Sequence, residues 1–350
     1  MNIHEKYINR CIRLAENGLG STYPNPLVGS VVVHKDRIIG EGWHRRAGEP
    51  HAEVHAIRSV KERELLRAST IYVSLEPCSH HGKTPPCSDL IIASGIPRVV
   101  IGTIDPFAAV SGRGIQKLLA AGCDVTVGVL EKECLELNKR FFTYHNKKRP
   151  YIILKWAESA DGYLSPAHRK ETAPVWITHK YARQLVHRWR SEEQAILTGT
   201  KTVIADNPRL DTRDWYGKSP VRVVLDRSLR IPHDYHVWDD SVKTLFLSEK
   251  QPGMSGEHTT VVPFDFSGDV AGEIAKLLYE QELQSVIIEG GQRTLQTFIA
   301  AGLWDEARIF RGDVMFNGGT PAPELQGFLF AKQNVYGNEL RIIKKEKTED

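Results

Sequence analysis

The sequence predicts two consecutive α/β domains, and three observations lead to this prediction. The chain has 350 residues, which is the length of about two ordinary domains. Short apolar runs typical of strands alternate with segments of helical apolar spacing in both halves. A polar, basic stretch that ends in proline interrupts the alternation at residues 144–150, and a new apolar strand follows it. We therefore expect one domain over residues 1–146 and a second over residues 147–350.

The first half begins with a predicted helix over residues 5–18, in which Ile8, Ile12 and Ala15 share one face. The later elements alternate between strands and helices, which indicates a sheet covered by helices on both faces. We expect strands at residues 28–33, 37–43, 70–75, 98–101 and 124–127. We expect the remaining helices at residues 51–61, 87–94, 112–120 and 131–144.

The second half has its own set of strands and helices, so it is predicted to be a separate α/β domain. We expect strands at residues 151–154, 195–198, 221–225, 244–247, 260–262, 286–289 and 306–310. We expect helices between them at residues 181–189, 270–280 and 294–300.

The composition is that of an ordinary globular protein, with 41% hydrophobic and 25% charged residues. A net charge of +3 is too small for the basic field of a nucleic-acid binder. No apolar run reaches the length of a membrane span, and the first residues lack a signal-peptide pattern. We expect a cytoplasmic homo-oligomer without nucleic-acid or membrane partners. Five cysteines, an odd number in a reducing compartment, favour metal binding by some of them over disulfides.

The strongest chemical signal is the combination of His51, Glu53, Cys78 and Cys87. One imidazole and two thiolates make three zinc ligands and leave a fourth position for water, as in catalytic zinc sites. Zinc lowers the pKa of its water to about 7, and Glu53 would carry the proton instead of binding the metal. Nucleobase deaminases share this order of residues, although here eight residues separate the two cysteines. The motif predicts a zinc-dependent deaminase.

Two other functions fit parts of this motif. A zinc deaminase that edits nucleic acids would carry aromatic residues among basic ones near the zinc motif, and residues 80–87 contain no aromatic residue. A non-enzymatic module stabilised by zinc would need a fourth protein ligand, for which His80 or His81 is a candidate. Metal analysis of Glu53→Gln separates these functions, because only the enzyme would keep zinc and lose ammonia release.

Longer motifs around these residues resemble the bifunctional deaminase/reductase family of riboflavin biosynthesis, over nearly the whole chain. In the first half they are PNPLVG (24–29), GWHRRAG (42–48), HAE (51–53), EPCSHHGKTPPC (76–87) and GRG (112–114). In the second half they are LKWAESADG (154–162), WIT (176–178), LTGTKTVIADNPRLDTR (197–213) and EGG (289–291).

For the first domain, the resemblance implies a three-layer, cytidine-deaminase-like fold and a small phosphorylated pyrimidine as substrate. That substrate is 2,5-diamino-6-ribosylamino-4(3H)-pyrimidinone 5′-phosphate, which loses its ring 2-amino group as ammonia. The resemblance also implies that Asn25, His44, His80 and Lys83 contact the substrate, with Lys83 near the phosphate. One departure is Phe107-Ala108-Ala109, where the family often has Asn-Pro-Leu.

The second half lacks a Gly-x-Gly-x-x-Gly unit between a strand and a helix, so an ordinary Rossmann site is not supported. Gly290 and Gly291 between a strand and a helix nevertheless suit a pyrophosphate, because helix N-termini present backbone donors. The resemblance implies a dihydrofolate-reductase-like fold and NADPH, which would deliver hydride to C1′ of the open ribose.

The same resemblance assigns roles to residues of this half. Lys155 would polarise the reacting centre. The NADPH site would be lined by Ala157, Trp176, Thr202, Asp206 and Gly291. The substrate would be faced by Arg190, Leu210, Arg213 and Glu289, and both guanidinium groups suit a phosphate because they bind it bidentately. Four departures from the family pattern leave a weakened or retuned reductase open: Glu158, Ala160, Pro174 and Asn207.

Overall fold

The computed structural model describes residues 2–79, 85–106, 112–169, 171–251 and 256–345. The chain forms two compact units that divide between Lys148 and Arg149. Each unit holds an α/β sheet of its own, which confirms the predicted fold class. No helix in the described parts of the chain is both long and apolar enough to span a bilayer.

In the first unit the described strands are β1 (Gly29–His34), β2 (Arg37–Trp43), β3 (Thr70–Leu75), β4 (Arg98–Thr103) and β5 (Asp124–Val127). The helices are α1 (Ile3–Ala15), α2 (Ala52–Ser59), α3 (Cys87–Ala93), α4 (Arg113–Ala120), α5 (Glu131–Leu137) and α6 (Lys139–Lys147). Short 3-10 helices cover Glu16–Gly18 and Arg63–Ala68.

The sheet of the first unit has the strand order β2-β1-β3-β4-β5, and helices pack on both faces. Alternate residues of one strand show this, since Tyr72 packs with α1 while Ile71 and Val73 pack with α2, α3 and α4. β1 is antiparallel to β2 and β3, whereas β3, β4 and β5 are parallel. The C-terminal ends of β2, β3 and β4 therefore lie at one edge of the sheet, and the loops that follow them meet there.

In the second unit the described strands are β6 (Tyr151–Glu158), β7 (Tyr163–Pro166), β8 (Ala195–Gly199), β9 (Val221–Leu225), β10 (Thr244–Ser248), β11 (Thr259–Pro263), β12 (Ser285–Ile288), β13 (Glu306–Arg311), β14 (Gly319–Pro321), β15 (Phe328–Val335) and β16 (Asn338–Lys344). The helices are α7 (Lys180–Glu192), α8 (Thr200–Asp206), α9 (Val270–Glu280) and α10 (Gln292–Ala300), with a 3-10 helix at His236–Trp238.

The main sheet of this unit has the order β11-β10-β9-β8-β12-β6-β13-β16-β15, while β7 and β14 form a separate ribbon. The strands from β11 to β13 are parallel, and β16 runs antiparallel to β13 and β15. Parallel central strands are buried on both faces of the sheet. Helices α9 and α10 cover one of these faces, where they pack against Ile152 and Leu154. The C-terminal ends of the parallel strands share one edge, where open α/β sheets bind ligands.

Several elements differ from the sequence-based expectations. The helix predicted at residues 131–144 is two helices, α5 and α6, because Asn138 leaves the helical conformation between them. The strand predicted to include Glu289 ends at Ile288, so Glu289 stands in the loop after the strand. The prediction also missed α8, β7, β14 and the β15–β16 hairpin.

Candidate active sites

The start of α2 carries the first part of the zinc motif. His51 is extended, with φ −72° and ψ 167°, and it precedes Ala52, the first helical residue. Glu53 lies in the first turn and is 3% exposed. This change of backbone conformation brings the two side chains together, although residues two apart on a regular helix face different sides.

The two cysteines reach His51 from the neighbouring loop. Cys78 follows β3 and Cys87 begins α3, and their Sγ atoms lie 3.5 and 3.4 Å from Nδ1 of His51. In a tetrahedral site with Zn–S of about 2.3 Å and Zn–N of about 2.0 Å, sulfur and nitrogen ligands stand about 3.5 Å apart. The donor atoms therefore have the chemistry and the spacing that a zinc ion requires.

Among the described residues, this is the one cluster of three or more metal-ligating side chains, and it has three members. Three protein ligands leave a fourth position, as expected of a catalytic site. His80 and Lys83, which were predicted to contact the substrate, lie outside the described residues. The same is true of His81, the other candidate for a fourth ligand, and of Phe107-Ala108-Ala109.

The protons of the cluster are distributed by burial and hydrogen bonding. Hydrogen bonding with Cys87 and His51 holds the pKa of the Cys78 thiol well below its usual value, although burial opposes this. Burial raises the pKa of Glu53 to about 7, while the His51 imidazole lowers it. Oε2 of Glu53 has no hydrogen-bond partner among the described residues. The cluster thus offers a thiolate for a metal and a carboxyl group that exchanges protons near neutral pH.

His44 and Asn25 lie beside the cluster. His44 is 2% exposed, and its ring meets that of His51 edge-on with centroids 5.3 Å apart. Its Nδ1 is 3.2 Å from the Pro50 carbonyl oxygen and its Nε2 is 3.0 Å from the Asn25 amide nitrogen. Burial lowers the pKa of His44, so the neutral ring donates from Nδ1 and accepts at Nε2. With this assignment the amide nitrogen of Asn25 donates to His44, and the amide oxygen of Asn25 is available to accept a hydrogen bond.

Asn138 supports the part of the site that contains Asn25, and nothing in the local sequence indicated this role. It is 2% exposed, and its amide bridges the N–H and the carbonyl of Leu27, each at 2.8 Å. The bridge ties the segment that follows Asn25 to the junction between α5 and α6. A contact across 111 residues leaves no local spacing that could reveal it.

The second unit contains a large cavity at the C-terminal edge of its sheet, with a volume of about 1090 Å³. All ten residues predicted for the reductase site line this cavity: Lys155, Ala157, Trp176, Arg190, Thr202, Asp206, Leu210, Arg213, Glu289 and Gly291. They come from β6, from the loop after β12, from α7 and α8, and from the segments that precede α7 and follow α8. The volume is at the upper end of the range of about 300–1,000 Å³ that is typical of small-molecule and cofactor sites.

Glu289 lies between two cations in this cavity. Its carboxylate accepts two hydrogen bonds from Arg190 and stands 3.6 Å from Nζ of Lys155. Burial raises the pKa of Glu289, but Arg190 and Lys155 outweigh it and the pKa falls to about 2. Burial lowers the pKa of Lys155, and Glu289 opposes this effect. Arg190, which the resemblance places facing the substrate, thus lines the cavity and also holds Glu289.

Gly290 and Gly291 form the approach to α10. A Cβ atom at Gly290 would lie 2.6 Å from Cβ of Thr294, and one at Gly291 would lie 3.1 Å from Oγ1 of Thr202. Both glycines are therefore needed for close packing against Thr294 and Thr202, and they line the cavity together with Gln292, the first residue of α10. Such a helix start binds a pyrophosphate, so this part of the site fits NADPH.

Other cavity residues are held by arginines that the sequence analysis did not single out. Asp206 pairs with Arg169, and the guanidinium of Arg183 stacks on the Trp176 ring at 3.9 Å. His187, one turn before Arg190 on α7, also lines the cavity and is 4% exposed. A histidine and an arginine three positions apart on a predicted helix share a face, and this spacing was the available signal for His187.

Three of the four departures from the family pattern lie outside the cavity lining. Glu158 is 8% exposed and accepts a hydrogen bond from Nε1 of Trp156 at 3.0 Å, and it pairs with Arg341 of β16. Ala160 and Asn207 are likewise not among the cavity residues, whereas Pro174 is. Of these four residues, Pro174 is therefore the one placed to change the pocket directly.

Comparison with known proteins supports both the zinc site of the first unit and the reductase cavity of the second. A model of the cytidine and deoxycytidylate deaminase zinc-binding region matches residues 1–103, and a model of the RibD C-terminal domain matches residues 150–342. The riboflavin biosynthesis protein RibD of Aquifex aeolicus is 41% identical over 312 residues, which are 88% of this chain and 86% of the relative. RibD of Actinobacillus pleuropneumoniae is 47% identical over 346 residues, or 96% and 88% of the two chains.

A solved structure matches the whole chain. The Thermotoga maritima diaminohydroxyphosphoribosylaminopyrimidine deaminase/5-amino-6-(5-phosphoribosylamino)uracil reductase superposes with a TM-score of 0.90 at 37% identity, covering 98% of this chain and 99% of that one. These matches confirm the predicted family, fold class, deaminase and reductase activities, and zinc and NADPH as cofactors. They also favour a bifunctional enzyme over both alternatives considered from the sequence. The chain belongs to the RibD family, the bifunctional deaminase/reductases of riboflavin biosynthesis.

Proposed function

We propose that the chain carries out two consecutive steps on one phosphorylated pyrimidine. It removes the 2-amino group of 2,5-diamino-6-ribosylamino-4(3H)-pyrimidinone 5′-phosphate, and it then reduces the ribosyl side chain to give 5-amino-6-(5-phosphoribitylamino)uracil. The observation that carries the proposal is the convergence of His51, Cys78 and Cys87 on one point beside the buried Glu53. The name of the Thermotoga maritima relative describes the same pair of activities.

In the deaminase unit, His51, Cys78 and Cys87 would hold the zinc ion. When bound, zinc acts as a Lewis acid that ionises a water molecule near neutral pH. Glu53 takes a proton from the water and delivers it to the pyrimidine ring nitrogen as the hydroxide adds to C2. It then takes the proton of the new hydroxyl group and gives it to the amino group, which leaves as ammonia while C2 becomes a carbonyl. Glu53 is buried and its Oε2 has no hydrogen-bond partner among the described residues, so that oxygen is available to exchange a proton with a ligand.

Four residues of this unit are proposed to orient the substrate. Asn25 offers its amide oxygen to a donor of the pyrimidine, and the neutral His44 ring holds that amide in place. His80 and Lys83, from the loop between the two cysteines, are proposed to reach the phosphorylated end, since cationic donors suit a phosphate.

In the reductase unit, NADPH supplies a hydride to C1′ of the open ribose when it is bound. Lys155 directs its buried ammonium group at the reacting centre, and Glu289 fixes the position of that group. Arg190 and Arg213 are both proposed to face the substrate and its phosphate, and each also pairs with a carboxylate, Arg190 with Glu289 and Arg213 with Asp211. Leu210 borders the same substrate, and the dinucleotide is bordered by Ala157, Trp176, Thr202, Asp206 and Gly291.

We also propose a domain boundary at residue 146, and a cytoplasmic homo-oligomer that binds small molecules and has no nucleic-acid or membrane partner.

The test follows ammonia release and NADPH absorbance in one sample of the full chain. Glu53→Gln is expected to lower ammonia release at least about 100-fold and to keep zinc, because only the proton carrier is lost. The same variant reduces the deaminated intermediate at the wild-type rate when that intermediate is supplied. Lys155→Met is expected to show the reverse pattern.

Substitutions at two exposed residues serve as matched controls. Glu49, just before α2, is replaced by Gln, and Lys276, on α9, is replaced by Met. Both controls should retain both activities. NADPH oxidation that precedes ammonia release would refute the proposed order of steps, and loss of both activities in each variant would refute the assignment of two separate sites.

A further inference from the structure

Glu76 is a buried carboxylate that accepts four backbone hydrogen bonds from distant parts of the first unit. It is 4% exposed. Its Oε2 accepts the N–H groups of Asp105 at 3.4 Å and Gly112 at 2.9 Å. Its Oε1 accepts those of Gly114 at 2.9 Å and Ile115 at 3.4 Å. Both oxygens are therefore fully used, and the donors belong to the loop after β4 and the first turn of α4.

Among the described residues, Glu76 is the side chain that caps the start of α4. The N-cap residue of α4, Gly112, has φ +76° and no side chain that could accept the first N–H groups. The first N–H groups of a helix need acceptors from elsewhere, and a negative charge is favoured there by the helix dipole. Glu76 fills this role from the end of β3, across 36 to 39 residues of sequence.

The same helix also touches the next residue, Pro77. A Cβ atom at Gly114 would lie 2.1 Å from the Pro77 carbonyl oxygen, so α4 packs directly on that peptide. On the other side of Glu76, its own N–H donates to the Thr103 carbonyl at 3.0 Å. The chain is thus anchored immediately before Cys78.

Cys78 is anchored from its other side as well. Its carbonyl accepts the N–H of Ser88 at 3.1 Å, and its Sγ accepts the N–H of Cys87 at 3.3 Å. The zinc-ligating sulfur of Cys78 therefore belongs to a short segment that is held by Glu76 at one end and by α3 at the other.

We propose that Glu76 is a positioning residue of the deaminase site, which holds Cys78 in register with His51 and Cys87 through its bonds to α4. This inference rests on the proposed zinc site. Groups that orient metal ligands typically change metal affinity by about 10- to 100-fold when they are removed.

Three variants of the full chain test the proposal. Glu76→Gln replaces one acceptor oxygen by an NH₂ group, which would face two backbone donors. Glu76→Asp keeps both acceptors on a shorter side chain and should give an intermediate effect. Leu118→Ala is the matched control, because it removes a fully buried side chain from the same helix without touching the carboxylate.

The readouts are zinc affinity, by competition with a chromophoric chelator, and the visible spectrum of the cobalt-substituted chain, which reports thiolate ligation. Glu76→Gln should weaken zinc binding by about 10- to 100-fold and alter the cobalt spectrum, while reduction of the deaminated intermediate is retained. Leu118→Ala should lower the unfolding midpoint and keep both zinc readouts.

Unchanged zinc affinity and cobalt spectrum in Glu76→Gln would overturn the proposal and leave Glu76 as a helix cap only. So would zinc loss in Leu118→Ala that equals the loss in Glu76→Gln. If Glu76→Gln does not fold, Glu76→Asp decides by the same readouts. A wild-type chain that binds no zinc would instead refute the proposed function, so the two failures are distinguishable.

Discussion

Arg190 and Glu289 are joined by two parallel hydrogen bonds, from Nε to Oε1 at 3.1 Å and from Nη2 to Oε2 at 2.8 Å. Each side chain is 11% exposed. A third N–H group, on Nη1 of Arg190, donates to the Asp211 carbonyl at 3.2 Å. Forked, charge-assisted pairs of this kind fix both position and orientation. The carboxylate that faces Lys155 is therefore oriented by Arg190.

Arg190→Lys is expected to lower the reductase kcat by about 10- to 100-fold, because an ammonium group keeps the charge but cannot form the fork. Ammonia release by the same preparation should be unchanged. Steady-state kinetics on the deaminated intermediate measure the effect. Arg188→Lys, on the exposed face of the same helix, is the matched control. A raised KM with unchanged kcat would instead indicate direct binding of the substrate by Arg190.

His187 predicts how the stability of the second unit depends on pH. Burial, helped by Arg190 and Arg213, lowers its pKa to about 4, while Asp214, 3.3 Å from its Nε2, opposes the shift. The unfolded chain binds this proton at a pKa of about 6.5, so between these values the unfolded state holds more protons. The free energy of unfolding should therefore fall as the pH decreases from about 6.5 to about 4, by about 2–3 kcal/mol from this residue.

Urea unfolding at pH 7.5 and pH 5 measures this effect through tryptophan fluorescence, since six of the seven tryptophans lie in the second unit. His187→Gln should unfold with a smaller dependence on pH than the wild type. His258→Gln, at an exposed position, should behave as the wild type does. Equal pH dependence in all three proteins would contradict this prediction, because it would show that His187 binds its proton equally well in the folded and the unfolded state.

The parts of the sites that were predicted from sequence are those whose residues stand at the ends of regular elements. Pro50 marks the start of α2 in the sequence, and His51 and Glu53 lie on either side of the first helical residue. Cys87 is the first residue of α3. The ends of neighbouring strands share an edge, so local spacing was enough to bring these groups together. The same reasoning placed Gly290 and Gly291 after a buried strand, although it assigned Glu289 to the strand itself.

Contacts between distant segments were not predictable in this way. Asn138 reads as one residue of a long helix, yet its side chain bonds Leu27, and the helix is interrupted there. Glu76 reads as a surface residue before a cysteine, although it caps α4. The β15–β16 hairpin was missed because most of β15 is exposed, so its sequence shows no alternation of apolar and polar residues.

The strand order β9-β8-β12-β6 predicts where the cofactor's adenosine lies. The nicotinamide must reach Lys155 at the end of β6, and the pyrophosphate is expected at Gly291, after β12. The adenosine half is therefore directed toward β8 and β9, where the exposed Arg230 lines the cavity. Arg230 is thus expected to meet the 2′-phosphate, the group that distinguishes NADPH from NADH.

Arg230→Gln should raise the KM for NADPH by about tenfold, the effect of losing about 1.4 kcal/mol, and leave the KM for NADH nearly unchanged. Arg293→Gln, at the start of α10, is the informative comparison, since it should weaken both cofactors to a similar degree. Initial rates with each dinucleotide give the ratios. A parallel loss with NADPH and NADH in Arg230→Gln would contradict this orientation of the cofactor.

Glu158 tests whether a departure from the family pattern has retuned the reductase. Its carboxylate serves Trp156 and Arg341, and it is not among the residues that line the cavity. Glu158→Leu should therefore keep kcat and both KM values within about twofold. The free energy of unfolding should fall by about 1–3 kcal/mol, because a buried donor and a cation lose their acceptor.

Chemical denaturation and steady-state kinetics on one preparation separate these two effects. The double variant Glu158→Leu/Arg341→Leu should recover part of the lost stability, since it removes the unpaired cation as well. A large change in the KM for NADPH without loss of stability would instead mean that Glu158 acts on the cofactor. In that case the pair with Arg341 would shape the pocket through β6, which also carries Lys155 and Ala157.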